Sequence, residues 1–168
     1  MPDAIAYRRL LPTDDIDAIT SLLHEAYAPL AAAGMRFVAS HQDGATTRRR
    51  LDDGETFLAT AGDLIVGIVT LNEVHATHGT PFYDRPDVAE FGQFAVRPSY
   101  QRHGIGSRLI ELVERRARDK GVRELALNTS EHAAHLIAFY TGKGYRFIEY
   151  AQWREVNYRS MVFSKSLP

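Results

Sequence analysis

The run Glu90-Phe91-Gly92-Gln93-Phe94-Ala95-Val96-Arg97-Pro98-Ser99-Tyr100-Gln101-Arg102-His103-Gly104-Ile105-Gly106 decides how the rest of the chain is read. Phe91, Phe94 and Val96 are the apolar part of a strand from Val88 to Val96, and Pro98 ends it because proline has no N–H for a ladder. The turn Arg97 to Tyr100 leads into the loop Gln101 to Gly106. Beyond the loop, Leu109, Ile110, Leu112, Val113 and Ala117 mark one helical face, with Glu111, Glu114, Arg115, Arg118 and Asp119 on the other. This predicts an amphipathic helix over Ser107 to Lys120, stopped by Gly121. Strand, glycine loop and helix in that order suit an anion, because the first N–H groups of a helix lack internal partners and sit at the positive end of its dipole. Gly104 and Gly106 let a phosphate approach without a Cβ in the way, and Arg102, His103 and Arg108 add charge at the mouth. Two glycines alone also fit a plain tight turn, so other phosphate loops serve as a check. A Walker loop needs Lys and then Ser or Thr after its second glycine, where this chain has Ser107-Arg108. A dinucleotide fingerprint needs a third glycine where this chain has Leu109. Both nucleotide readings fail.

Toward the N-terminus, Ile5 to Leu10 reads as a first strand and Pro12 to Asp15 as a turn that caps a helix. Ile16, Ile19, Leu22, Leu23, Ala26 and Tyr27 give that helix its period, and Pro29 predicts that it goes no further. A short helix over Thr46 to Leu51 follows, with Arg48, Arg49 and Arg50 read as its solvated face. Glu55 to Thr60 and Leu64 to Leu71, separated by Ala61-Gly62-Asp63, form a hairpin. Asn72 to Asp87 is a long loop of the kind that carries function. Toward the C-terminus come a strand (Arg123 to Asn128), a helix (His132 to Thr141) and two antiparallel strands (Tyr145 to Trp153, Asn157 to Lys165). The order β-α-α-β-β-β-α-β-α-β-β describes one α/β domain over residues 1–168, a mixed sheet with helices on its faces.

Composition narrows the function classes. The 168 residues carry 20 Lys+Arg against 21 Asp+Glu, a net charge of -1, so no global field holds the chain on nucleic acid or on an anionic membrane. There is no cysteine, which excludes disulfides, zinc-thiolate sites and a cysteine nucleophile and fits a cytoplasmic location. Met1 to Leu11 does not read as a signal peptide, and no run approaches the roughly 20 apolar residues of a membrane span. No metal site is expected, and a homodimer stays open.

The segment Glu90 to Gly106 resembles the acyl-CoA-binding motif of the GNAT superfamily: Gln or Arg, two residues, Gly, one residue, then Gly or Ala, here Gln101, Gly104 and Gly106. A second match follows it. Ala138-Phe139-Tyr140-Thr141-Gly142-Lys143-Gly144-Tyr145-Arg146-Phe147 resembles the next motif, an aromatic-Tyr pair before a Gly-aromatic pair that opens a strand. The resemblance covers Ile5 to Lys165. It implies a central, mostly antiparallel seven-stranded sheet with helices on both faces, acetyl-CoA as co-substrate, and N-acetyl transfer to a primary amine, with a small molecule favoured as acceptor.

The same resemblance implies which residues meet acetyl-CoA. Gln101, Arg102, His103, Gly104, Ile105, Gly106 and Ser107 would hold the pyrophosphate, and Phe94, Ala95 and Val96 would line the pantetheine arm, with a backbone N–H near Phe94 or Ala95 polarising the thioester. Relatives often carry Asn where this chain has Ala133 and Ala134, so Asn128, with Thr129 and Ser130, is the replacement pantetheine contact. An alkyl amine is almost fully protonated at neutral pH and needs a base, for which Glu90 is the first choice, with Glu73, His75 and His78 as alternatives. Tyr140 matches the family's proton donor to the leaving thiolate; the competing reading is a core aromatic. Candidate acceptor contacts are Glu25, Tyr27, Tyr83, Asp84, Glu149, Trp153 and Asn157. The alternative function is a non-catalytic acyl-CoA-binding sensor or interaction module on the same fold.

Overall fold

A computed structural model describes residues 3–168, so the first two residues of the single-domain assignment lie outside it. Among the described residues the element order is β1 (Ile5–Arg9), α1 (Ile16–Ala32), α2 (Gly44–Asp52), β2 (Gly54–Ala61), β3 (Leu64–Asn72), β4 (Val88–Val96), α3 (Ile105–Asp119), β5 (Glu124–Ser130), α4 (Ala134–Gly142), β6 (Arg146–Ala151) and β7 (Ser160–Ser166). The seven strands form one sheet in the order β1-β2-β3-β4-β5-β7-β6. Every neighbouring pair is antiparallel except β4 and β5, which run parallel. This is the seven-stranded α/β sheet with helices on both faces that the motifs implied.

Alternation along the strands sorts side chains to two cores. Leu58, Ile65, Ile68 and Ala95 turn to one face and pack under Ile19, Leu22 and Leu23 of α1 and Leu51 of α2. Val66, Val69, Phe91, Leu125 and Leu127 turn to the other and meet Leu109, Ile110 and Val113 of α3 and Tyr140 of α4. The helix starts are those their sequences dictate. Asp15 caps α1 by accepting from Asp17 N (2.9 Å), and Asp43 caps α2 by accepting from Thr46 N (2.8 Å).

Two expectations need correction. Helix α1 does not stop at Pro29 but continues to Ala32. Proline removes one donor and no acceptor, so its carbonyl and that of Leu30 still accept from Ala33 N, both at 3.1 Å, and the buried Leu30 anchors the last turn. The arginines of α2 are not one solvated face either. Arg48 and Arg49 are exposed, whereas Arg50 is drawn inward beside the buried Thr47 and Leu51, its neighbours on the same helical face.

Candidate active site

A gap in the sheet makes the site. The parallel pairing of β4 with β5 covers only Val88↔Glu124, Ala89↔Leu125 and Glu90↔Ala126. Past Glu90 the strands part, and a cleft of about 540 Å³ opens beside them. A bulge sharpens the parting. The β3–β4 register shifts between Ile68 and Thr70, and on β4 Gln93 takes φ 49, a left-handed conformation uncommon for a residue with a side chain. After the bulge Phe94 and Val96 pack toward α3, while Ala95 packs beneath α1. These three residues thus border the gap, and the β5-facing edge of β4 has no strand partner there.

At one end of this edge lies the candidate anion site. Gly104 is the N-cap residue of α3 at φ 82, in the left-handed region, and supplies no side-chain cap. Arg108 N donates to the Gly104 carbonyl (3.0 Å), so the N–H groups of Ile105, Gly106 and Ser107 precede the first helical bond and have no intrahelical acceptor. A Cβ on Gly106 would stand 3.1 Å from Phe94 Cζ, so the helix start is packed against the strand that borders the cleft. Gln101 points back, its Nε2 donating to the Val96 carbonyl (2.9 Å), and thereby fixes the loop. Arg102 and His103 are exposed beside it, and Arg108 pairs with Glu111 (3.1 Å) on the surface. Uncapped N–H groups, a dipole of a 15-residue helix and free space over Gly104 fit the pyrophosphate of acetyl-CoA.

At the other end lies Glu90, whose carboxylate Oε1 accepts from Asn72 Nδ2 (3.2 Å). Burial pushes its carboxyl up to about 7, against opposing contributions from Tyr83, the charge of Arg50 and Asn72. Tyr83 is held by Asn128, whose Nδ2 donates to the Tyr83 hydroxyl (3.1 Å), while Trp153 Nε1 donates to Asn128 Oδ1 (3.2 Å). Asn128 therefore lines the cleft, but both ends of its amide are spent on Tyr83 and Trp153. Thr129, next to it on the cleft wall, has a hydroxyl with no partner among the described residues.

Tyr140 enters from α4. Its ring packs against Phe91 (centroids 6.2 Å apart) and Phe94 (6.3 Å), and Phe94 stacks on Phe139 at 14°. Tyr140 lines the cleft, and its hydroxyl makes no hydrogen bond within the described residues. Burial raises the phenol well above 10, with Tyr27 adding to the shift, so it is a protonated group across the working pH range. Tyr27 donates from its hydroxyl to the Phe94 carbonyl (2.9 Å), and burial pushes its phenol up to about 12.

Several sequence candidates are placed elsewhere. Glu73 is bound to Lys120 Nζ (2.6 Å) and His75 is exposed outside the cleft; His78 stands exposed at its rim. Glu25 pairs with Arg97 (2.8 Å). Asp84 accepts from Gly79 N (3.1 Å), Glu149 from Phe82 N (3.2 Å), and Asn157 from Arg36 N (2.8 Å), each fastening a loop. Of the acceptor candidates, Tyr27 and Trp153 line the cleft and Tyr83 backs Glu90. Sequence reading missed Gln42, Gln93 and Arg50. Arg50 had a signal, since it lies three residues after Thr47 and one before Leu51 on the apolar face of α2.

Comparison with known proteins agrees with this architecture. The sequence model of the Acetyltransferase (GNAT) family matches residues 16–145, and the chain belongs to that family. It is 27% identical over 139 residues, 82% of each chain, to S-(2-succino)cysteine N-acetyltransferase of Bacillus subtilis (strain 168). Among solved structures it resembles the ribosomal-protein-S18-alanine N-acetyltransferase from Escherichia coli, with a TM-score of 0.74 at 18% identity, covering 98% of this chain and 94% of that one. A GNAT family acetyltransferase from Elizabethkingia anophelis with acetyl-CoA bound gives a TM-score of 0.67 at 18% identity, covering 97% and 98%. The protein is an N-acetyltransferase of a family that uses acetyl-CoA. No helix among the described residues is long and apolar enough to cross a membrane.

Proposed function

We propose that the protein transfers the acetyl group of acetyl-CoA to a primary amine of a small molecule by direct attack within a ternary complex, with Glu90 as base and Tyr140 as proton donor. The observation that carries this reading is the pairing, in one cleft, of a carboxyl held at about 7 with a phenol held protonated and without a hydrogen-bond partner among the described residues. Bound acetyl-CoA supplies an activated acetyl thioester. The N–H groups of Ile105, Gly106 and Ser107 anchor its pyrophosphate with Arg102 and His103 alongside, and the open edge of β4 at Phe94, Ala95 and Val96 guides the arm into the cleft. Glu90, ionised, takes a proton from the acceptor ammonium. The freed lone pair forms the C–N bond as the C–S bond breaks, Tyr140 gives its proton to the departing sulfur, and the second proton, lost from the new amide nitrogen, restores the Tyr140 hydroxyl.

A small acceptor is supported by the way the loops enclose the Glu90 end. Tyr83, brought in by the loop between β3 and β4, stacks on Trp153 of the loop between β6 and β7 at 6.2 Å and 19°. The B. subtilis relative acts on a small amino acid derivative, in keeping with this. The test is free-thiol release from acetyl-CoA with a panel of amines, each product identified by its mass. Acetylation of small amines is expected; no turnover across broad amine classes overturns the reading.

A further inference from the structure

The cleft draws in two charged side chains of opposite sign. Among its charged lining residues, Arg49, Asp53, His78 and Glu155 are exposed at the rim, and only Arg50 and Glu90 are partly enclosed. Among the described residues neither has an oppositely charged side chain within the 4.0 Å of an ion pair. Arg50 is instead held by neutral groups. Its guanidinium donates to Gln42 Oε1 (2.9 Å), and the Gln93 amide, turned with its oxygen toward it, stands 3.0 Å from Nε and from one terminal nitrogen and 3.1 Å from the other. These partners are neutral amide oxygens, so the positive charge itself is not matched by an anion among the described residues.

Gln42 is itself fixed, with Nε2 donating to Thr47 Oγ1 (2.8 Å), and Thr47 Oγ1 accepts from Thr20 Oγ1 (2.8 Å). The charge is thus positioned by a buried polar scaffold reaching back to α1. A guanidinium taken out of water without an anion is costly, and burial is the main force lowering its proton affinity, with the field of Glu90 the first to oppose it. An anion entering the cleft would remove that cost.

We infer that the acceptor is an amino acid whose carboxylate is bound by Arg50 while its amine is presented to Glu90. This rests on the acetyl-transfer reading of the same cleft. A diamine would set its second ammonium against Arg50, and the first residue of a polypeptide would offer it a neutral amide, so a free amino acid meets both charges where those do not. Tyr27, Phe37, Trp153 and Tyr158 form walls for its side chain.

The test uses matched pairs: the α-amino acids, each with the amine left after removal of its carboxylate, such as phenylalanine with phenethylamine and leucine with isopentylamine. Acetyl transfer gives kcat/KM for both members, and calorimetry with CoA present gives amino acid binding. The wild-type protein should favour the carboxylated member of the best pair by about 100-fold, the scale of a charge-assisted contact in a partly enclosed site. Arg50→Gln should bring that ratio close to one, and Arg50→Lys, keeping the charge without the fork, should retain an intermediate ratio; melting curves report whether each is folded. A wild-type ratio near one, or a folded Arg50→Gln protein that keeps the full ratio, overturns the inference and leaves acetyl transfer standing. Arg50-dependent binding of an amino acid without any acetylated product does the reverse. Neither binding nor turnover of any amino acid also overturns it.

Discussion

At one end of the cleft the candidate anion site is built of backbone N–H groups from a single run, Ile105 to Ser107. At the other, Glu90, Asn72, Tyr83, Asn128 and Trp153 arrive from separate segments and set one carboxyl by enclosure. The first end needs only a helix start, a left-handed glycine and the absence of side chains. The second needs specific groups at specific distances, because proton affinity follows burial and each neighbouring contact. The two ends should therefore fail differently. Damage at the helix start weakens the hold on acetyl-CoA, whereas damage around Glu90 slows chemistry and leaves acetyl-CoA affinity intact.

The largest effect expected is that of Glu90→Gln, which keeps shape and removes the base. Turnover at saturating substrates should fall by about 10³-fold, within the range for a lost general base, with the acetyl-CoA Kd unchanged by calorimetry. A weakened Kd with normal turnover would erase the contrast between the ends.

Tyr140→Phe comes next. Because the hydroxyl makes no hydrogen bond among the described residues, its removal should shift stability by less than about 1 kcal/mol, while turnover falls about 10²-fold. Melting and steady-state kinetics on one preparation separate the acid from a packing residue, for which turnover stays near wild type.

The smallest effect, on acetyl-CoA affinity, is that of Gly104→Asp. A Cβ there meets nothing within 4 Å, but φ 82 strains any side chain, and the carboxylate lies beside the N–H groups the pyrophosphate would use. Acetyl-CoA Kd should rise about 10-fold in a folded protein, the scale of one displaced charge-assisted contact. An unchanged Kd would remove the anion site from the helix start.

The same contrast governs what could be read from the sequence. The helix-start end is local, so Gly104, Gly106 and the apolar stripe from Leu109 to Ala117 announce it within one run. Glu90 and Tyr140 could be named as candidates because each sits inside a motif. The scaffold around them was not. Tyr83 sits in a loop without period, and Gln42 and Gln93 meet 3.1 Å apart across 51 residues of chain. Asn128 looked free for a ligand, and only the fold shows its amide used on both sides. Arg50 was hidden in a triplet of arginines whose average character is solvated; three consecutive helical residues point 100° apart, and helical phase singles out one.

Most direct for the account as a whole is the pH dependence of kcat/KM for the acceptor, measured for the wild-type protein and Glu90→Gln. A carboxyl held at about 7 is protonated and idle below that pH and ionised above it, so wild-type activity should rise tenfold per pH unit below the inflection near 7, then leave only the acceptor amine's own titration. Glu90→Gln should lack the inflection near 7 at every acceptor concentration; a variant that keeps it, with wild-type rates, would show that Glu90 is not the base and that the enclosed end of the cleft is built for something else.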